Sequence, residues 1–202
     1  MTDNENFVND ILMYPQTFTD YITGKNPIQE TLLRKFVKYN CDLVYVDTSN
    51  VTNMFCMFDE ATFFNQDISR WDTSKVTNTS FMFHGATAFN QNISAWDVSK
   101  VIVGKGMFDL ATAFNQDISR WDVSNFKTMT LMFSEATSFN QDISQWDTSN
   151  VKNISHMFNG ATAFNQDISK WNTSNVINMS WMFFEVTSMK EANKPTFKNS
   201  GT

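Results

Sequence analysis

The chain has 202 residues, 42% hydrophobic and 18% charged, which is enough apolar content for one domain with a core and too much for intrinsic disorder. Its net charge of −6 argues against a nucleic-acid backbone as partner, and no apolar run approaches the roughly 18 residues that span a membrane. Two cysteines, Cys41 and Cys56, cannot build a disulfide framework and read as small buried hydrophobes. Phe occurs 20 times and Met 12 times against 6 Gly and 3 Pro, a skew that points to an internal repeat.

Met1 to Asp10 is acidic and polar, without the character of a signal peptide, so an intracellular or virion-associated location is expected. Residues 1–40 read as a helical N-terminal cap. Phe7, Val8, Ile11 and Leu12 suggest an amphipathic turn or two that stops before Pro15. Asn26-Pro27-Ile28-Gln29 then reads as N-cap, Pro at the first helical position, and Gln at the third. The helix that follows would turn Ile28, Leu32, Leu33, Phe36 and Val37 to the first repeat and Arg34, Lys35 and Lys38 to solvent.

Residues 41–189 carry about six units with a period of 25 and no insertion. Met-Phe recurs at Met57-Phe58, Met82-Phe83, Met107-Phe108, Met132-Phe133, Met157-Phe158 and Met182-Phe183. Phe-Asn-Gln follows from Phe64 to Phe164, and Ile-Ser-x-Trp closes units at Trp71, Trp96, Trp121, Trp146 and Trp171. Equivalent residues should stack in columns about 4.8 Å apart if neighbouring coils pair. Val76, Met82, Phe83 and Ala86 have helical spacing behind Asp72-Thr73-Ser74, which suits an N-cap. The Asn-Gln-Asp-Ile-Ser-x-Trp part predicts a short parallel strand around Ile68, Ile93, Ile118, Ile143 and Ile168. The expected fold class is therefore an α/β repeat, each coil a strand, a turn and a short helix.

The run Met-Phe-x-x-Ala-x-x-Phe-Asn-Gln-Asp-Ile-Ser-x-Trp-Asp-Thr-Ser-Asn-Val resembles the BspA-like leucine-rich-repeat surface proteins over about Cys41 to Met189. The resemblance implies a leucine-rich-repeat-like right-handed solenoid. It also implies a non-enzymatic protein–protein interaction module of the surface or adhesion type. The alternative is a structural component of a viral particle or other assembly.

Several side-chain columns carry groups capable of chemistry. Asp67, Asp117, Asp142 and Asp167 form one acidic column and Asp47, Asp72, Asp97, Asp122 and Asp147 another; turn caps are the preferred reading, because the glycine-rich calcium nonapeptide is missing. His84 shares a column with Asp59, Asp109 and Ser134, an order that invites a metal or hydrolase reading but brings no oxyanion site. No catalytic residue, metal or cofactor is expected. The column before Trp holds Arg70, Ala95, Arg120, Gln145 and Lys170; it varies between units, and Arg70, Arg120 and Lys170 are candidates for a binding stripe. In the third unit Gly104 and Gly106 should weaken the helix. At the last unit Trp181 and Phe184 stand where earlier units are mostly smaller or polar. Either the tail, 190–202, folds back through Phe197, or this end docks on a protein partner or a second copy.

Overall fold

The computed structural model describes residues 20–197; the Phe7 to Leu12 turn expected in the sequence lies outside them. Within 41–190 the described residues hold no α-helix and no strand longer than a single bridge. The leucine-rich-repeat-like solenoid of strand–turn–helix coils is therefore not what this sequence forms. Its units are chains of tight turns, joined by isolated parallel bridges that repeat every 25 residues from Asn53–Asn78 to Asn153–Asn178.

The first repeat shows why. Met57 N–H donates to the Met54 carbonyl (3.2 Å) and Ala61 N–H to that of Phe58 (3.1 Å), closing two successive four-residue turns. The third residue of each turn, Cys56 (φ 52°) and Glu60 (φ 57°), is left-handed, as that kind of turn requires. The same two positions are left-handed in every later unit, from Phe81 and Gly85 to Trp181 and Glu185. A helix cannot pass through a left-handed residue every fourth position. Consecutive turns nevertheless bring every third residue inward, which imitates helical spacing in the sequence.

The amides that do not close turns reach the next unit. Met54, Cys56, Phe58 and Glu60 donate to the carbonyls of Asn78, Ser80, Met82 and His84 at 2.7–3.0 Å, so alternate residues form a ladder between units. Similar ladders join each later pair of units with their amides on the earlier unit, and one bond before each ladder, such as Ile102 N–H to the Thr77 carbonyl, runs the other way. The ladder satisfies backbone groups that local structure leaves unpaired.

Inside the stack, the Met-Phe and Phe-Asn-Gln phenylalanines make two adjacent columns. Within a unit their rings lie 3.9–4.0 Å apart; between units successive rings stand 5.1–6.0 Å apart and nearly parallel. Offset pairs of this kind add about 0.5–1.5 kcal/mol each beyond burial. The five unit-closing Trp indoles, Trp71 to Trp171, each donate N–H to a carbonyl of the unit before, Trp96 to Ile68 and Trp121 to Ile93 at 3.1 Å. The Asn column forms a second ladder: Asn90, Asn115, Asn140 and Asn165 each donate a backbone N–H to the Asn side-chain oxygen one unit earlier.

The two glycines of the third unit have separate explanations, neither of them a weakened helix. A Cβ on Gly104 would stand 2.4 Å from the Phe126 ring, and Phe126 occupies the column that is Val in every other unit. The missing side chain at 104 is thus replaced by the larger one at 126. Gly106 is left-handed (φ 59°) and passes under Phe81.

At the start, α1 (Glu30–Lys38) buries Leu33 and Phe36 into the same core, with Leu32 and Val37 partly buried. Its N-cap is Gln29, not Asn26. Pro27 is instead in a parallel bridge with Asp47, and Ile28 N–H donates to the Asp47 carbonyl (2.8 Å), which keeps this stretch extended.

Candidate interaction surface

Most polar side chains of the repeat are used in holding the stack. Every aspartate of the two acidic columns that is hydrogen-bonded accepts the backbone N–H of the serine two residues on, for example Ser69 on Asp67 and Ser74 on Asp72, both 2.9 Å. These bonds hold the carboxyls of Asp67, Asp72, Asp97, Asp117, Asp147 and Asp167 below the ordinary range. Asn92 and Asn172 do the same work without charge. The acidic columns are turn caps.

Arg70, Arg120 and Lys170 are exposed, as the sequence suggested, with Ala95 and Gln145 between them. Each faces an aspartate three residues earlier whose carboxyl it helps to lower, and Arg70 also lies 5.5 Å over the Tyr45 ring. The stripe is electrically balanced along its length, with its cations two units apart.

His84 lies between acids. Its Nδ1 is 2.7 Å from Asp59 Oδ1 and 3.6 Å from Glu60 Oε1, and its Nε2 is 3.7 Å from Asp109 Oδ2. Asp59, Glu60 and His84 bring three potential ligand atoms within 4.8 Å of one another on an accessible shelf. Burial raises the Asp109 carboxyl, and the Ser134 hydroxyl bonds to it, so the serine serves the acid and not the histidine. This is a hydrogen-bonded chain and lacks the order of a catalytic triad. Cys41 and Cys56 are partly buried thiols, both raised by burial, which lowers their reactivity.

The ends of the stack are different. At the C-terminal end the tail meets the last unit on one side: Lys190 N–H and Asn193 Nδ2 donate to Asn165 Oδ1, Ile168 N–H to the Asn193 carbonyl, and Thr173 Oγ1 to the Thr196 carbonyl. A 3-10 turn, Glu191–Asn193, lets Asn193 take the part that Gln plays in earlier units. Phe197 packs partly buried against the core. The described part of the tail, through Phe197, leaves the 177–185 side exposed. There Ile177 is 80% exposed, Trp181 58% and Phe184 44%, and the Trp181 and Phe184 rings meet edge to face at 4.7 Å. The amides of Met179, Trp181, Phe183 and Glu185, which in any earlier unit would feed the ladder, have no partner among the described residues.

The same side of the first unit is also open, with the opposite polarity. The Asn53, Met57 and Asp59 carbonyls accept nothing among the described residues, and that of Phe55 takes the Arg34 guanidinium (2.7 Å). A groove of about 640 Å³ lies between α1 and Cys56–Phe64, with Arg34, Val37 and Lys38 on one wall and Met57, Phe58 and Phe63 on the other. Sequence reasoning missed this groove, although a signal was present. Phe63 is 95% exposed where other units have Ala or Ser, and Phe55 stands where they have Ser, Thr or Lys.

No curated protein matches the chain, and no solved structure matches it. One family profile does, in two overlapping repeat-like stretches, residues 26–117 and 96–196, which together take in α1, every unit and the folded-back tail. The chain belongs to the family described as "Mycoplasma protein of unknown function, DUF285".

Proposed function

We propose that the protein is a non-catalytic protein-interaction module of the BspA-like type, docking through the open edge of its last unit. The observation that carries this reading is the edge itself. Four successive ladder amides have no partner among the described residues and lie beside exposed Trp181, Phe184 and Ile177, in a molecule whose other units pair these amides. Aromatic anchors beside unpaired backbone donors suit an extended segment of a protein partner. The balanced Arg70–Arg120–Lys170 stripe offers less, because exposed ion pairs contribute little.

The test is an affinity capture from the native source with three baits: the native chain, a Trp181→Ser/Phe184→Ser variant, and an Arg70→Ala/Arg120→Ala/Lys170→Ala variant. A direct protein partner lost only with the first variant is the expected result. A partner retained by that variant and lost with the second would overturn the edge and move the site to the stripe.

A further inference from the structure

We infer that copies of this chain join head to tail, the Met179–Glu185 edge of one copy seating in the groove between α1 and Cys56–Phe64 of the next. The inference rests on the open edge proposed above and names its partner. Its first support is the direction of the ladder. Over residues 54–60 and their equivalents the amides belong to the earlier and the carbonyls to the later unit, at every second residue, while one bond at the start of each joint, such as Thr77 N–H to the Thr52 carbonyl, runs the other way. Along this stretch a finite stack is therefore left with a row of donors at its last unit, on Met179, Trp181, Phe183 and Glu185. Among the described residues it is left with a row of acceptors at its first, on Asn53, Met57 and Asp59. The two sets have the same spacing, since both come from the same part of the repeat.

The second support is where the cover fails. On their other sides both ends are closed: Pro27 and Ile28 bond to Asp47, Gln66 bonds to Asn40 and Cys41, and the 190–197 tail covers Asn165, Ile168 and Thr173. Among the described residues the side left open is the same one at both ends. The third support is composition. Five of the exposed large apolar residues, Phe55, Phe63, Ile177, Trp181 and Phe184, lie on these two open sides. The groove has room for two aromatic side chains, and Trp181 and Phe184 form a ready pair. Glu185 is the single charged residue of 177–185, and the exposed Lys38 stands on the groove wall. Donors meet acceptors in only one orientation, so the contact is heterologous and repeats along a line.

Sedimentation velocity over about 1–300 µM chain, a range that reads weak contacts, tests this. Two variants block one end each: Trp181→Ser/Phe184→Ser at the edge and Lys38→Glu/Phe63→Ser at the groove, all at exposed positions. Unchanged melting temperatures establish that both fold. The native chain should show species that grow with concentration, each variant alone should be a monomer, and their mixture should give a one-to-one dimer that grows no further. A groove variant that still dimerises alone would mean edge-to-edge contact and would overturn the proposal. So would a native chain that stays monomeric throughout. In that case a protein partner still lost by the edge variant in the capture experiment would leave the broader interaction reading standing.

Discussion

Replacing Gly85 with Ala separates a helical unit from a turn-built one by sign. In the helix expected from Val76, Met82, Phe83 and Ala86, Gly85 would be an interior glycine and the change would stabilise by about 1 kcal/mol. In the structure Gly85 has φ 64°, and its amide feeds the ladder through the Asp109 carbonyl. An alanine in that left-handed conformation costs about 1–2 kcal/mol. The stiffer unfolded chain returns about 0.4–1 kcal/mol. The new Cβ would stand 3.1 Å from the Glu60 carboxyl carbon, on an exposed side chain that can turn aside, so contact adds little. The net expectation is a loss of about 1 kcal/mol. With a guanidinium slope of about 3 kcal/mol/M this lowers the unfolding midpoint by about 0.3 M at unchanged slope. Gly106→Ala should lose more, because its Cβ would meet the Phe81 ring at 2.4 Å, and that ring is already held against Lys105 and His84. A midpoint raised by Gly85→Ala would refute the turn account.

The Gly104–Phe126 exchange makes a double-mutant cycle. Gly104→Met overpacks against Phe126 and Phe126→Val leaves a void, each costing about 2 kcal/mol, whereas the double variant restores the residues common in other units and should return to within about 1 kcal/mol of the native chain. Denaturant midpoints that simply add would show that the two positions do not share one space. Acid should destabilise the stack. Asp72, Asp97, Asp117 and Asp147 have folded pKa values below the unfolded value of about 3.9, so their contribution is present above that pH and is lost as pH falls through the folded values. Asp109, raised by burial, has the opposite sign and stabilises only at pH below its folded value. Melting temperature should therefore fall between about pH 4 and pH 2. An Asp72→Asn/Asp97→Asn variant should match the native chain at pH 7, as Asn92 and Asn172 already hold the same turn, and should melt with a shallower acid slope. Identical acid slopes would exclude these turns as the source.

The period of 25 was legible without structure, and so were the residues that fill the core. Phe83, Phe108, Ile93, Trp96 and their equivalents are buried as the pattern required. The turn-capping part of the aspartates was also readable, because Asp two residues before Ser is a local motif. The backbone path was not. Of the twelve left-handed positions in the six units only Gly85, Gly106 and Gly160 are glycine; the others include Cys56, Phe81, Leu110, Leu131 and Trp181, none of which signals a turn. Their strain is borne by the ladder, whose bonds join residues 24 apart and so leave no local trace. The spacing of three from consecutive turns then reads as a helix. Pro27 misled in a similar way: a good first helical residue in isolation, it is held extended by Asp47, twenty residues later.

The direction of that ladder also decides where binding can lie. Along the ladder a unit in the middle gives its amides to one neighbour and its carbonyls to the other, its Asn, Thr and Trp side chains are committed to the same joints, and its Asp side chains to local turns. What such a unit leaves exposed is a set of short polar side chains and the balanced stripe. The ends cannot be completed in this way, because one lacks an acceptor row and the other a donor row. Capping by a helix at the start and by a short tail at the finish covers the core and the Asn ladder, but neither brings backbone groups to the Asn53–Asp59 and Met179–Glu185 sides. Buried amides need partners, and exposed ones beside an aromatic pair are cheap to desolvate only when a carbonyl row replaces the water. A segment that offers carbonyls at every second residue therefore fits the last unit, whereas the first unit calls for donors. The two ends select different partners or, where both are present on the same molecule, each other.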